Sequence, residues 1–424
     1  MSDSPDTSTR PGSRAISGIL VVVLALLTAV APLTTDMYLP AFPVMSDEPN
    51  TTATGIQLTL TTFLLGLGLG QLFLGALSDA TGRRRPILIG SLVCMLASVA
   101  CALAPNVEIL AAARFVQGLS GAAGVVLARA IISDTARGAV AAKLQGLLII
   151  ISVVAPVAAP LTGGAIIANV GWRSVFWVLA ALTLIMFLGA LTYVRETLPE
   201  SARARGGLKA VVGGARTVLT NRDYVGYLLT FCFAFTALFA YISASPFVIQ
   251  NVMGMSTSSY TLVFSLNALV ILIISSIASV LAGRVPYRHM ITTGLTVSLL
   301  ASAGLLAAVL SGVPTTITLV LFACFQGPLG LVFSNATALA LEEAGAHAGT
   351  GSAFLGFLQF ILAAAVSPLV GIQGEDTAVP MSLAMVVSIV LAALAFGVLP
   401  RKSSTPQDAT DLDQDPATTA PTPE

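Results

Sequence analysis

Long apolar runs alternate with short polar breaks along nearly the whole chain. A bilayer-crossing helix needs about 20 predominantly apolar residues. Twelve runs of that kind can be marked: 16–44, 54–77, 86–104, 108–132, 142–168, 174–194, 224–249, 259–282, 290–311, 315–341, 348–371 and 379–399. The longest polar break, Arg195 to Asp223, divides them six and six. The pattern predicts an all-α membrane protein with twelve transmembrane helices in two six-helix bundles. Its expected parts are a disordered N-terminus over 1–14, a first bundle over 15–198, a linker over 199–222, a second bundle over 223–401 and a disordered tail over 402–424. Both end segments are rich in Ser, Thr, Pro or Asp and have too little apolar surface to offset the entropy of ordering. The first apolar run is too long for a signal peptide and has no cleavage site after it.

Composition agrees with this reading. Of 424 residues, 56% are hydrophobic and 9% charged, against about 25% charged in a typical soluble domain. Net charge is zero, so nothing points to nucleic acid. The four cysteines, Cys94, Cys101, Cys232 and Cys324, lie in apolar runs without CxxC or metal-ligand spacing. Cys94 and Cys101 share a helix face and read as packing residues.

The positive-inside rule orients the spans. With the N-terminus in the cytoplasm, all Lys and Arg except Arg114 and Arg173 lie on or at the edge of the cytoplasmic side. Outer loops carry Asp47, Glu48, Glu108, Glu375 and Asp376 instead. An even number of spans then puts both termini in the cytoplasm. The linker reads as a solvated basic connector beside anionic headgroups. Trp172 and Trp177 read as interfacial anchors. His289, His347, Glu342 and Glu343 fall at cytoplasmic span ends and read as solvated.

Asp36 changes the picture. It is a carboxylate inside the first run, where a charge costs about 2.5–3.5 kcal/mol on insertion scales and is by default functional. Pro40 and Pro43 follow it and should break the helix. The rival reading is an interfacial cap at the outer end of the span. In span four, Arg114, Gln117, Gly118 and Gly121 fall on one helix face. Arg114 either snorkels outward or faces an aqueous cavity and needs an anionic partner, for which Asp36 is the candidate.

Two further segments carry a pattern. The turn after span two contains Gly75, Asp79, Gly82, Arg83, Arg84, Arg85 and Pro86. Gly75 suits close helix approach, Gly82 a tight turn, and the Asp79–Arg83 spacing an ion pair; together they read as a clasp holding one arrangement of two packed bundles. Span five contains Pro156, Pro160, Gly163 and Gly164, a bent helix with a small-residue face. Ser367-Pro368 to Gly371 recurs at a comparable place in span eleven; matched breaks in two halves point to a site between them. Other polar residues within spans are Gln71, Thr230, Tyr241, Asn267, Gln326, Asn335 and Gln359.

The glycine- and arginine-bearing turn, the Arg114 segment, the span-five segment and Asp36-Met37-Tyr38-Leu39-Pro40-Ala41-Phe42-Pro43 together resemble the major facilitator superfamily. Within it, they resemble the twelve-span drug:proton antiporters of the bicyclomycin/chloramphenicol resistance (Bcr/CflA) type. Gly171-Trp172-Arg173, Glu196-Thr197-Leu198-Pro199, Ser243-Ala244-Ser245-Pro246, Ser334-Asn335-Ala336 and Gly349-Thr350-Gly351 add to the resemblance, which runs from about Ile16 to about Arg401. In span five, Ala155 stands where a glycine is usual and a second proline is present. Some related antiporters carry a second acid about two turns before the Asp36 position. Here that region is Leu27-Thr28-Ala29, which leaves less negative field for a cationic drug.

The resemblance implies the major facilitator fold and proton-coupled efflux of small organic compounds such as antibiotics, by alternating access. Asp36 would carry the proton, with Arg114 beside it. Expected cavity residues are Tyr38, Gln117, Tyr241, Asn267, Asn335 and Gln359. The alternative within transport is a proton-coupled exporter or importer of an endogenous amino acid, peptide or siderophore. An intramembrane enzyme or receptor is disfavoured by the lack of a nucleophile, base or metal constellation. No cofactor or metal is expected. The expected partners are a small-molecule drug, protons and the lipid bilayer, with no nucleic acid, and the protein is expected to be a monomer spanning the bacterial cytoplasmic membrane many times.

Overall fold

The computed structural model describes residues 18–48, 51–203 and 207–399, and among them every regular element is helical. The expectations of disorder over 1–14 and 402–424 lie outside the described residues. The first half contains α1 (Gly18–Asp36), the short α2 (Phe42–Ser46), α3 (Ala53–Thr81), α4 (Arg84–Leu103), α5 (Val107–Thr135), α6 (Gly138–Val170) and α7 (Arg173–Tyr193). α8 (Gly207–Thr220) follows. The second half contains α9 (Arg222–Phe247), α10 (Thr257–Leu281), α11 (Tyr287–Leu310), α12 (Thr315–Ala344), α13 (Ala348–Leu369) and α14 (Val379–Val398). Eleven stretches are long and apolar enough to cross a bilayer, and one of them, Thr315–Leu369, contains both α12 and α13. The twelve spans of the apolar pattern are therefore all present, in two six-helix bundles.

Local chemistry sets the helix ends. Thr52, Asn106, Asn221 and Ser256 each accept a backbone N–H of the first turn of α3, α5, α9 and α10. Gly82 and Gly171, at φ +94° and +88°, terminate α3 and α6. α6 runs unbroken through Pro156 and Pro160.

The 199–222 segment departs from a plain solvated connector. It folds into α8, which packs against α3 and α13. Its apolar positions gather on one helical face, which gives a linker helix something to bury. Side chains such as Val170, Leu310 and Leu300 remain about 70% exposed at the bundle surface, as expected where lipid tails replace water. The halves meet along α3 against α13 and α6 against α10. The end of the bundle that carries α8 is called the linker end here, and the opposite end the distal end.

Candidate functional site

The first helix breaks where its prolines require. α1 stops at Asp36, and a 3₁₀ turn over Leu39–Ala41 leads into α2. Thr34 and Thr35 return their hydroxyls to the carbonyls of Val30 and Ala31, a bonding pattern that bends helices. Asp36 is 4% exposed, enclosed by protein at the end of α1. Among the described residues its carboxyl makes no ion pair or hydrogen bond.

Arg114 does not pair with Asp36. Its side chain is fully buried, and Nη1 donates to the Thr34 carbonyl at 2.9 Å and to Gln117 Oε1 at 2.8 Å. The guanidinium lies 4.2 Å from the centroids of both Tyr38 and Phe63. Its surroundings are thus an aromatic cage and a helix end rather than a carboxylate in a wet cavity. The physical reason is local: a terminated helix leaves its last carbonyls without intrahelical partners, and a cation at the helix C-terminus also meets the negative end of the dipole. Gln117 is held in turn by Ser98, whose Oγ accepts from Nε2 at 2.8 Å. Tyr38 is buried and shares a hydrogen bond of 3.3 Å with Thr59. Cys94 and Cys101 lie against Gln117 as buried thiols.

The glycines of α6 bring the second half to this point. A side chain at Gly163 would collide with the Met37 carbonyl, and one at Gly164 would meet Thr261 Cγ2 at 2.5 Å. The residue after Asp36 and the residue after Tyr260 therefore sit against adjacent glycines. From α9 and α10 come Tyr241 and Asn267, joined at 3.1 Å, with Tyr260 beside them. Ser265 Oγ donates to the Val157 carbonyl at 2.7 Å, a second tie between α10 and α6.

The distal end is shut between the halves. Gln57 Nε2 donates to the Ser243 carbonyl at 3.3 Å, and the Ser367 hydroxyl donates to the Gln57 carbonyl at 3.4 Å. Thr54 donates to the Gly371 carbonyl at 2.9 Å, Gln250 to the Pro40 carbonyl at 3.2 Å, and Ser46 to Glu375 at 2.9 Å. Phe42 packs on Phe247 with centroids 5.9 Å apart. The sequence marked Ser243 and Ser367 only as parts of patterned segments and did not mark Gln57, because a polar residue at a helix end carries no mark of its partner.

The Asp79–Arg83 clasp forms, but within the first bundle rather than between bundles. Arg83 binds Asp79, the Ser78 hydroxyl at 2.7 Å and Asp134 at 3.0 Å. Thr197 also donates to Asp134, at 3.0 Å. Burial works against the Arg83 charge, but Asp134 and Asp79 outweigh it and hold the guanidinium above its ordinary range. Glu196 caps the start of α4, accepting from the backbone N–H of Arg83 at 2.8 Å and Arg84 at 3.3 Å. The N–H groups of Thr197 and Leu198 bind it as well. Partial burial would raise the Glu196 carboxyl; the four N–H donors together hold it below its ordinary value. Gly82 sits at φ +94°, a conformation that favours glycine, and a Cβ there would also displace the Glu196 carboxylate. Arg84 is exposed and reaches only the Leu191 carbonyl. Gly75 does not mediate a close approach, because a Cβ there would meet Val126 Cγ1 at an ordinary 3.6 Å.

Other expectations sort by burial. Trp172 is not a lipid anchor: it is 8% exposed, donates to Glu48 at 2.8 Å and carries Arg173 over its ring. Trp177 remains exposed. Glu343 is only half-exposed and accepts from Asn221. Asn335 turns back to the Leu331 carbonyl and Met290 sulfur. Gln359 is half-buried. A cavity of about 150 Å³ at the distal end, bounded by Glu48, Asn106, Trp172 and Arg173, is lined by none of the six expected cavity residues. The structure gathers Tyr38 and Gln117 around Arg114, and Tyr241 with Asn267 across from them.

Comparison with known proteins supplies the family. A model of the Major Facilitator Superfamily matches residues 24–368. An uncharacterized MFS-type transporter, YdgK, of Bacillus subtilis (strain 168) is 38% identical over 379 residues, covering 89% of this chain and 94% of that protein. A bicyclomycin resistance protein homolog of Haemophilus influenzae is 29% identical, covering 89% and 95%. The multidrug resistance protein MdtL of Salmonella typhimurium is 28% identical, covering 89% and 94%. Among solved structures, a D-xylose-proton symporter superposes with a TM-score of 0.73 at 14% identity, over 91% of this chain and 98% of that one. An inward-facing bacterial homolog of the human lysosomal transporter Spinster gives 0.70 at 16%, over 91% and 96%.

Proposed function

The chain belongs to the Major Facilitator Superfamily, and from that premise we propose that it exports small organic compounds, antibiotics among them, in exchange for protons. The observation that carries this reading is Asp36: a buried carboxyl without a partner among the described residues, at a broken helix end, beside the seam between the halves. A carboxyl removed from water favours its neutral form, so such a group takes up a proton when the site closes and gives it up when water or substrate enters. The names of the bicyclomycin and multidrug resistance relatives support drugs as the cargo.

Arg114 acts as a positioning residue. By binding the Thr34 carbonyl it fixes the helix end that presents Asp36. The halves rock about this region, with the linker end and both termini in the cytoplasm of a bacterial cell and the protein working as a monomer without a resident cofactor. One charge moved across 100 mV supplies about 2.3 kcal/mol, enough for a drug gradient of several tens per proton. In inside-out vesicles, Asp36→Asn is expected to abolish drug-driven proton movement. Retained export against a gradient in Asp36→Asn would remove Asp36 from the role.

A further inference from the structure

The fourth span of each half carries the same short pattern. α5 reads Gln117-Gly118-Leu119-Ser120-Gly121, and α12 reads Gln326-Gly327-Pro328-Leu329-Gly330. In both, a glycine seats the second span of its own half. A Cβ at Gly118 would strike the Phe63 carbonyl of α3, and one at Gly330 the Ile271 carbonyl of α10. The two glutamines thus occupy equivalent places, but their surroundings differ. Gln117 is engaged at both ends of its amide, by Arg114 and by Ser98. Three residues before Gln326 stands Ala323 rather than an arginine. The neighbouring third span, α11, has Ser298 and Ser302, but their hydroxyls go to the Phe325 and Leu299 carbonyls. Gln326 is 3% exposed, and its Nε2 makes no hydrogen bond among the described residues. A buried donor in that state is costly, and an acceptor brought by a ligand removes the cost.

The surroundings of this amide define the ligand. Phe322, Gln326 and Phe333 fall on one face of α12. That face is turned to α9: Phe322 packs on Tyr241 with centroids 4.9 Å apart, and Phe333 on Phe231 and Phe235 at 5.2 and 6.1 Å. Gln326 lies between these ring contacts, about 16 Å along α12 from its distal start and so at mid-bilayer depth. The Tyr241 hydroxyl, bonded to Asn267, is its neighbour. Toward the linker end the aromatic face continues to Phe360 of α13, 5.5 Å from Phe235 and set against Gly68 of α3. Phe235, Phe333 and Phe360 are half-buried, whereas α9 is closed over from Thr236 to Phe247. Partly open rings therefore lead from the seam between the halves to the buried amide. Charge is absent from this wall: between Tyr224 and Leu399 every Asp, Glu, Lys and Arg lies in a turn or at a helix end.

We infer that Gln326 is the specificity-determining donor of the second half: an uncharged, ring-bearing compound lies along Phe333 and Phe235 and presents a carbonyl oxygen to Nε2. The inference names a cargo class for the export proposed above and rests on that reading. An apolar wall with a single oriented polar group suits such a compound. A permanent cation finds no carboxylate on it.

The test measures equilibrium binding to the full-length protein in lipid nanodiscs with two probes. Chloramphenicol is uncharged and carries an amide carbonyl; tetraphenylphosphonium is a cation without an acceptor. Leucine is close to glutamine in size, so Gln326→Leu removes the donor and keeps the packing. It should weaken chloramphenicol binding about five- to tenfold, the worth of a neutral hydrogen bond, and leave tetraphenylphosphonium binding unchanged. Its melting temperature should be unchanged or higher, because an unpartnered amide has left the core. The matching Gln117→Leu should lower the melting temperature, since Arg114 and Ser98 lose their partner. Wild-type chloramphenicol affinity in Gln326→Leu would overturn the inference. So would equal destabilisation by the two leucine variants with both probes weakened alike, or a wild type that binds only the cation. A wild type that binds neither probe would remove drug export along with it. Binding requires no proton movement, so retained export in Asp36→Asn would remove the proton carrier and leave the assignment of Gln326 standing.

Discussion

Arg114 reaches across the first bundle to the Thr34 carbonyl, 2.9 Å from Nη1, two residues short of the carboxyl it would be expected to neutralise. It therefore fixes the helix end that carries Asp36 and leaves that carboxyl without an ion pair among the described residues. A guanidinium paired directly with Asp36 would hold it ionised and oppose proton exchange.

Arg114→Lys should expose the difference. Lysine keeps the charge but has no planar face to lie between Tyr38 and Phe63. Each desolvated cation–π contact contributes about 2 kcal/mol, so a lower melting temperature and a loss of roughly tenfold or more in drug-driven proton movement are expected. Wild-type rates in Arg114→Lys would show that charge alone suffices.

The glycines separate just as sharply. Gly163→Ala drives a methyl group into the Met37 carbonyl, a backbone atom with nowhere to go. Overpacking of this kind costs about 1–3 kcal/mol, and thermal unfolding in detergent should register it, together with impaired transport. Gly75→Ala meets only Val126 at van der Waals distance and gains up to about 1 kcal/mol of helix propensity. Its melting temperature should be unchanged or higher.

Glu196 predicts a pH dependence of stability. Its carboxyl is held below its ordinary value in the folded protein. Such a group contributes stability above its unfolded-state value and loses it as pH falls through the folded one. Wild type should therefore lose part of its thermal stability on acidification below about pH 4.5, the range in which an ordinary glutamate takes up its proton. Glu196→Gln should cost about 1 kcal/mol at neutral pH, as a lost helix cap does, and show a flatter acid limb. Equal acid sensitivity in both proteins would contradict the capping role.

The apolar pattern alone located all twelve spans, because lipid demands a long uninterrupted run from each. The helix break after Asp36 was equally legible, since Pro40 and Pro43 act through their own backbone. Legibility ends where the partner is a backbone atom or lies far along the chain. Nothing in Thr34 marks its carbonyl as the seat of Arg114, and nothing in Glu196 announces that it caps a helix beginning more than a hundred residues earlier. Trp172 looked like an anchor because aromatic residues near span ends usually are, and only the Glu48 contact shows it turned inward.

The seam at the distal end is made chiefly of hydroxyls, amides and carbonyls: Gln57 with the Ser243 carbonyl, the Ser367 hydroxyl with Gln57, and Thr54 with the Gly371 backbone. Each of these bonds can be exchanged for one to water at nearly equal free energy, and none of them joins ions. A gate of this composition resembles a zip fastener rather than a lock. It parts one tooth at a time, with the Ser46 bond to the Glu375 carboxylate its one charged tooth.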